Sequence, residues 1–286
     1  MGLIDFLLNL GDLLLNLGGL LLWLNWRSLA FDPFAKTTPT TLAGTVRRAD
    51  ASRPKGWRFL ASLAALVFCR TWLYWQLGAA LNWTPQLRLG AIVLAFRSDL
   101  FARMLIFSAL SFALVLAMFY LCLLLFSLLN GRTAEADPLL KLVRLHLGLV
   151  DRWPWPVKLL LPLVSAVPLW FILSWPLARL NIIDPAPPGV RVEQAVVLGL
   201  GAYLAWKFPL GILLALYVLV TYVYLGKHNC WDFINQTARN LLAPLRRLPL
   251  HLGKFDFAPL LVLVTVFVAA QYAERGLTLL YARLPL

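Results

Sequence analysis

Five long apolar runs constrain this chain more than any other feature of its sequence, because each is close to the roughly 20 residues that a helix needs to cross a bilayer. The runs are Phe59–Leu81, Met104–Leu129, Val157–Ala178, Phe208–Leu225 and Phe257–Ala273. Hydrophobic residues make up 61% of the 286 residues and charged residues 14%, whereas a soluble domain is about half apolar and a quarter charged. The sequence therefore predicts an all-α, polytopic helical membrane protein with about five transmembrane helices.

Lys and Arg are concentrated in three of the gaps around these runs. The linker 27–58 and the segments 131–158 and 227–256 together hold 17 of the 26 basic residues. Since cytoplasmic loops of membrane proteins are enriched in Lys and Arg, we expect these three segments on the cytoplasmic side. Topology thereby accounts for the net charge of +13, and nucleic acid is not expected as the main partner.

The N-terminal stretch, residues 1–26, is expected to form an amphipathic helix. Asp5, Asn9, Asp12 and Asn16 recur at helical spacing and share one stripe, with leucine around the rest of the surface. An aspartate at the centre of a bilayer costs roughly 2.5–3.5 kcal/mol. We therefore expect the helix to lie in the interface or to dock its stripe on protein, with a spanning position as the alternative.

Part of the sequence recurs after a shift of 105 residues. Leu145–Gly148 coincides with Leu250–Gly253, and Asp151 coincides with Asp256. Two spans separate the copies, so the pattern predicts a parallel internal repeat. The predicted divisions of the chain are the helix 1–26, the basic linker 27–58, and the membrane repeats 59–156 and 157–286.

Two short apolar pieces, Leu89–Phe96 and Ala195–Trp206, precede the second and fourth runs. Both are too short to cross a bilayer alone and are interpreted as interfacial or re-entrant helices. For Ala195–Trp206, the alternative is that it extends the fourth run into one long helix.

The second copy of the repeated phrase carries an arginine pair, Arg246 and Arg247, between two prolines. Pro244 and Pro249 lack a backbone donor, so a continuous helix through the pair is not expected. At the membrane surface, the two arginines are placed to meet lipid phosphates or an acidic partner.

The end of this phrase indicates a turn into the last span. Gly253 permits a positive φ, Asp256 is placed to cap the free N–H groups of the last helix, and Pro259 suits its first turn. A purely structural re-entry element accounts for this chemistry, and a dedicated partner or ligand site is the alternative.

The order Thr237, Pro244-Leu245-Arg246-Arg247, Pro249 and Gly253-Lys254-Phe255-Asp256, set between two spans, resembles the YggT family of small bacterial and plastid membrane proteins. The hallmark of that family is a PLRR…P…G.ID stretch between paired transmembrane helices, commonly present twice. The resemblance covers roughly Phe208 to Ala273. The first copy keeps Arg144, Gly148 and Asp151 but lacks the adjacent arginine pair.

The resemblance implies a multi-pass protein of the bacterial cell inner membrane. Members of the family are associated with membrane assembly, cell division or osmotic stress, and in plastids with maturation of a b-type cytochrome. No enzymatic reaction is established for the family as a whole. The motif residues implied to contact a partner or lipid are Arg144, Gly148, Asp151, Thr237, Pro244, Arg246, Arg247, Pro249, Gly253, Asp256 and Pro259.

Arg70 lies in the middle of the run Phe59–Leu81, where an isolated charge is expensive. An intramembrane ionisable group usually faces a partner or a cavity, and the candidate acids are Asp5, Asp12 and Glu274. The alternative is that Arg70 extends its side chain to the interface.

No catalytic, cofactor or metal site is legible in the sequence. His146 and His251 are equivalent in the repeat, but we expect both in loops as solvated or lipid-facing side chains rather than as haem ligands. The sequence favours a non-enzymatic membrane scaffold or assembly factor with a membrane-protein partner. The alternatives are a small ion- or solute-transport component, or a structural subunit of a respiratory or photosynthetic complex.

Overall fold

The computed structural model of the protein describes residues 3–30, 56–81, 83–131, 138–223, 226, 228–244, 251–252 and 255–283. The chain divides into two compact units. The first consists of Met1–Pro85 and Phe96–Leu116, and the second of Gln86–Ala95 and Ala117–Leu286.

The described chain is helical apart from two short hairpins. Its first half contains α1 (Leu3–Ala30), α2 (Trp57–Leu81), the hairpin of β1 (Gln86–Leu89) and β2 (Ile92–Ala95), and α3 (Phe101–Leu129). Then follow α4 (Pro138–Leu147), a 3₁₀ helix (Gly148–Arg152), α5 (Trp155–Arg179), α6 (Pro188–Leu204) and α7 (Lys207–Tyr222). The last elements are α8 (Asn229–Leu242), the hairpin of β3 (His251–Leu252) and β4 (Phe255–Asp256), and α9 (Ala258–Ala282).

Five helices of the described chain are long and apolar enough to cross a membrane. They are Leu8–Ser28, Phe101–Leu129, Trp155–Arg179, Pro188–Tyr222 and Ala258–Ala282. This confirms the predicted all-α polytopic fold, and the chain is a multi-pass membrane protein.

The five helices differ from the predicted set at the N-terminal end. The stretch Leu8–Ser28 of α1 is long and apolar enough to span, whereas α2 is not among the five although it forms a 25-residue helix over the predicted first span. The charge of Arg70 and the polar and aromatic residues after it lower the mean hydropathy of α2. In addition, α1 continues to Ala30, beyond its predicted end at residue 26.

The predicted linker is shorter than 27–58, because α1 and α2 each take up some of its residues. Arg27 lies in the last turn of α1, and Trp57 and Arg58 form the first turn of α2. Residues 31–55 lie outside the described residues.

The prediction of a short helix at Leu89–Phe96 is wrong. This stretch belongs to an antiparallel hairpin in which Leu87 pairs with Leu94, and Gly90 turns the chain with a φ of 63°. Leu87, Ile92 and Leu94 are buried, whereas Gln86, Arg88, Val93 and Ala95 are exposed. That alternation has the period of two that identifies a strand, and it outweighs the overall apolar character of the piece.

The corresponding piece of the second copy, Ala195–Trp206, is helical and belongs to α6. Only Ala205 and Trp206 separate α6 from α7, and Pro188–Tyr222 qualifies as one apolar stretch of 35 residues. The structure thus favours the alternative in which this piece extends the fourth run. Because the hairpin and α6 occupy equivalent places in the two copies, the copies do not share this element, and duplication stays a prediction.

In the first unit, α1 and α2 pack antiparallel. Asp12 near the start of α1 contacts Arg70, and a side chain added at Gly19 would lie 3.4 Å from Leu63. At the other end, a side chain added at Gly56 would lie 3.6 Å from Trp26. The contacts therefore move forward along α1 while they move backward along α2.

In the second unit, glycines let helices approach closely. A Cβ added at Gly199 of α6 would lie 2.9 Å from the Cα atom of Leu163 in α5. Trp170 of α5 also donates to Gln194 of α6 at 3.0 Å within the same interface. These contacts hold α5 against α6 without requiring a large apolar interface, as is usual between helices in a membrane.

Candidate functional site

Asp151 is the centre of a partly buried polar cluster in the second unit. Its carboxylate accepts a hydrogen bond from Ser127 Oγ at 2.5 Å and lies 3.5 Å from Lys158 Nζ and 3.4 Å from Arg144 Nε. Lys158 Nζ also donates to Ser127 Oγ at 2.8 Å. These four residues come from the end of α3, from α4, from the 3₁₀ helix and from the first turns of α5, so the cluster ties four consecutive elements together.

Asn130, three residues after Ser127, lines the same small cavity as this cluster and bonds to α8. Its side-chain amide donates to Thr237 Oγ1 at 2.9 Å, and its carbonyl oxygen accepts from Asn240 Nδ2 at 3.0 Å. Asn130 and Thr237 are fully buried. We call Ser127, Asn130, Arg144, Asp151, Lys158, Thr237 and Asn240 the Asp151 network.

The sequence of α8 gives the helix one buried side and one exposed side. Phe233, Ile234, Thr237 and Ala238 are buried on one side, while Asp232, Gln236 and Arg239 are exposed on the other. The buried side packs against Leu140 of α4 and Leu213 of α7. Thr237 is the polar residue on this packed face, and its hydroxyl is paired with Asn130, as buried polar groups require.

The predicted motif residues fall into three groups. Arg144, Asp151 and Thr237 meet in the Asp151 network, Gly148 has a φ of 58° between α4 and the 3₁₀ helix, and Pro259 is buried in the first turn of α9. Pro244 closes the described segment that follows α8. Arg246, Arg247, Pro249 and Gly253 lie outside the described residues.

The predicted capping role of Asp256 stays a prediction. Its backbone pairs with that of His251 between β3 and β4, but its side chain is outside the described part of the structure. The N-cap residue of α9 is Phe257, whose side chain makes no capping hydrogen bond.

The interpretation of His146 as a solvated or lipid-facing loop residue is wrong. His146 lies in the last turn of α4, is buried, and its Nδ1 is 2.9 Å from the carbonyl oxygen of Leu142. Its ring packs edge-on against Phe119. The helical spacing of Leu140, Val143 and Leu147 places His146 on the packed side of α4, so His146 is a core residue. The side chain of His251 is not among those described.

Arg70 has the acid partner that its position in the middle of the apolar helix α2 calls for. It forms an ion pair with Asp12, and its Nη1 donates to Asn16 Oδ1 at 2.6 Å. Tyr74 and Ser111 each donate to the Asp12 carboxylate at 2.9 Å. Asp12, Asn16, Arg70, Tyr74 and Ser111 form what we call the Arg70 cluster, which lies entirely within the first unit.

The predicted polar stripe of α1 is docked on protein through only part of its length. Asp12 and Asn16 face α2 and α3, whereas Asn9 is exposed and the side chain of Asp5 is outside the described residues. Glu274, another candidate partner of Arg70, instead pairs with Lys207 at 3.1 Å.

The sequence interpretation missed Ser127, Asn130, Lys158 and Asn240. Their only local signal is position, because Asn130 directly follows an apolar helix and Lys158 interrupts the start of the next one. Polar residues are also common at the ends of membrane spans, so neither position indicates a site. Their pairing depends on the end of α3 meeting both the start of α5 and the buried side of α8, which spacing along the chain does not reveal.

The Asp151 network has little room for a substrate. Ser127, Asn130, Gly131, Arg144, Asp151 and Lys158 line a cavity of about 40 Å³. Ser127 donates its hydroxyl to Asp151 and Lys158 donates to Ser127, so the hydroxyl is held between the carboxylate and the ammonium group of an ion pair. Within the described chain, no group of three or more His, Cys, Asp or Glu residues could hold a metal ion.

A larger groove lies between α6, α7 and α9. Its volume is about 590 Å³, and its lining is mostly apolar, including Leu200, Trp206 and Ala273. Lys207, the partner of Glu274, also lines it.

Comparison of the chain with protein-family models, with curated proteins and with solved structures gave no match. The resemblance to the YggT family thus rests on the motif residues alone and stays a prediction.

Proposed function

We propose that this protein is a non-enzymatic membrane scaffold or assembly factor of the YggT type. In this proposal, the basic segments between its spans contact lipid and a membrane-protein partner, in the inner membrane of a bacterial cell. The observation that carries the proposal is the Asp151 network. Arg144 and Asp151 of the first phrase line one small cavity with Asn130, which bonds to Thr237 just ahead of the second phrase.

The network supports a structural role because its polar groups bond to one another. Ser127, Asn130 and Thr237 are buried and hydrogen-bonded, and two cations flank the one carboxylate of Asp151. Hydrogen-bonded networks of this kind fix neighbouring elements in a single arrangement. Since α8 ends at Leu242, a fixed α8 gives the following Arg246 and Arg247 a rigid starting point.

The test is mass spectrometry of the proteins that co-purify from native membranes in mild detergent. We expect one dominant membrane protein, and we expect its loss when Arg246→Glu is combined with Arg247→Glu, because charge reversal repels an acidic partner. The matched control is Arg275→Glu with Arg283→Glu, which makes the same charge change at exposed positions near the other end of α9. An unchanged partner in the first double variant contradicts the role of the arginine pair.

The stoichiometry in the same experiment separates an assembly factor from a permanent subunit. Substoichiometric recovery that depends on growth conditions indicates an assembly factor. A fixed ratio to one respiratory or photosynthetic complex indicates a structural subunit.

A transport function is the second candidate, favoured by the groove of about 590 Å³ and by Lys207, which lines it and pairs with Glu274. Its mostly apolar lining offers few groups to replace the hydration shell of an ion. Purified protein in liposomes would show solute or ion flux above empty liposomes if this alternative holds, and Glu274→Gln would reduce that flux.

A further inference from the structure

The stretch between α3 and α5 presents an unusual combination of exposed side chains. Leu149 is 76% exposed, Trp155 62%, Leu142 48% and Trp153 42%. Lys141 and Arg152 are exposed beside them in the sequence. We call Lys141, Leu142, Leu149, Arg152, Trp153 and Trp155 the α4–α5 surface.

The backbone explains why these side chains point outward. Gly148 ends α4 with a φ of 58°, a conformation that residues with a Cβ rarely adopt, and the chain turns into the 3₁₀ helix directly after it. In α4, Leu140, Val143 and Leu147 are buried, which leaves Lys141 and Leu142 on the opposite face. None of the five residues of the 3₁₀ helix is buried.

The charges of this stretch are sorted by sign. Asp151, the acidic residue among residues 138–160, is turned into the Asp151 network, where Lys158 and Arg144 neutralise it. Lys141 and Arg152 remain on the surface. The surface therefore presents cations and large apolar side chains together, while the carboxylate of Asp151 faces the network.

The ends of the spanning helices place this surface at a membrane boundary. α3 ends at Leu129 and α5 begins at Trp155, so α4 and the 3₁₀ helix between them lie where both helices leave the apolar layer. Tryptophan is enriched at this depth, and basic residues near it are attracted to anionic lipids.

We infer that the α4–α5 surface binds the leaflet of the protein's own membrane and selects anionic phospholipids. Leu142, Leu149 and Trp153 enter the boundary between headgroups and acyl chains, as the apolar face of an interfacial helix does. Lys141 and Arg152 meet the lipid phosphates. The inference deepens the proposed function, on which it rests for the role of lipid contact, and it concerns residues other than the arginine pair.

The test uses the full-length protein in nanodiscs of phosphatidylcholine alone or with phosphatidylglycerol. Cys69, Cys122 and Cys230 are replaced by alanine, and an environment-sensitive fluorophore is attached through Leu149→Cys. We expect the emission to shift to the blue as the anionic fraction rises, together with quenching by lipids labelled in the upper acyl chain. Lys141→Glu with Arg152→Glu should abolish the dependence on anionic lipid, and Lys141→Gln with Arg152→Gln should reduce it.

Arg275→Glu with Arg283→Glu is the control for net charge and should leave the shift intact. The inference would be overturned if the emission wavelength did not change with lipid charge or if labelled lipids did not quench the probe. It would also be overturned if the control variant reduced the shift as much as Lys141→Glu with Arg152→Glu does. If the probe were shielded from solvent only when a co-purified protein is present, the inference would also be overturned, because the surface would then be a protein interface. Loss of the partner in the Arg246 and Arg247 double variant with an intact lipid response would separate this site from the arginine pair.

Discussion

Arg70 and Asp12 show at the scale of single residues how a charge is kept inside an apolar helix. Arg70 is 1% exposed, and Asp12 lies beside it with Tyr74 and Ser111 as further donors. Bringing two charges out of water is costly, and only good geometry with additional hydrogen bonds offsets the cost. Removal of one member should therefore be much more harmful than removal of both.

We expect Asp12→Ala to lower the free energy of unfolding by about 3–5 kcal/mol, because it leaves Arg70 buried without its counter-charge. Asp12→Leu combined with Arg70→Met should restore most of that loss. The measurement is unfolding of the detergent-solubilised protein, followed by loss of helical signal with increasing denaturing detergent.

Asp99→Ala is the control for this experiment. Asp99 pairs with Arg103 at 2.8 Å, but its side chain is 45% exposed, so its removal should cost about 1 kcal/mol or less. A single Asp12 variant as stable as this control would contradict the buried pair.

At the scale of elements, the position of α8 is held by hydrogen bonds from one residue outside it, Asn130. Asn130 bonds to both Thr237 and Asn240, and these contacts reach α8 from the end of α3. The apolar face of α8 supplies the remaining contacts through Phe233 and Ile234. The hydrogen bonds therefore decide how firmly α8 is fixed, while apolar packing decides which face it buries.

Asn130→Ala should loosen α8 without unfolding the protein. A buried donor or acceptor left without a partner costs about 1–3 kcal/mol, and here Thr237 would lose its partner. We expect the amides of α8 to exchange their hydrogens faster in nanodiscs, measured by mass spectrometry, while those of α5 stay protected. Gln236→Ala is the control, since Gln236 is exposed and its side chain makes a long bond of 3.4 Å to Asn240. Equal exchange in both variants would show that Asn130 does not hold α8.

At the scale of the whole molecule, topology follows from charge and from the antiparallel packing of α1 on α2. The positive residues predict that 31–55 faces the cytoplasm. Between Asp12 and Trp26, α1 follows α2 for roughly 21 Å at 1.5 Å per residue. Helices that run side by side over this length cross the same layer, so we expect α1 to span and the N-terminus to lie outside.

Labelling with a membrane-impermeant maleimide tests this topology. In a variant without its three cysteines, Gly2→Cys and Asp184→Cys should react in intact cells, and Ser52→Cys only after permeabilisation. Gly2 and Ser52 reacting on the same side would show that α1 does not cross.

Much of the fold was predictable because the bilayer imposes local rules. The apolar length of α3, α5 and α9 identified them as spans, and the polar stripe containing Asp12 and Asn16 indicated docking. The hairpin around Gly90 was missed because Ile92–Ala95 is apolar at every position, so its alternating burial is not visible as an alternation of polar and apolar residues. For α2, the predicted span ignored how far Arg70 and the residues after it lower hydropathy.

The sequence by itself determined that the chain is a helical membrane protein, and it offered an acid partner as one of two explanations for Arg70. Only the tertiary structure decided which acid it is, that His146 is a core residue, and that Asn130 and Lys158 complete the network. The physical reason is the range of the forces. The transfer of apolar side chains into the bilayer and the periodicity of a helix depend on neighbouring residues, so a local sequence pattern reveals them. Hydrogen bonds and ion pairs of 2 to 4 Å depend on how elements that are distant in the sequence come together.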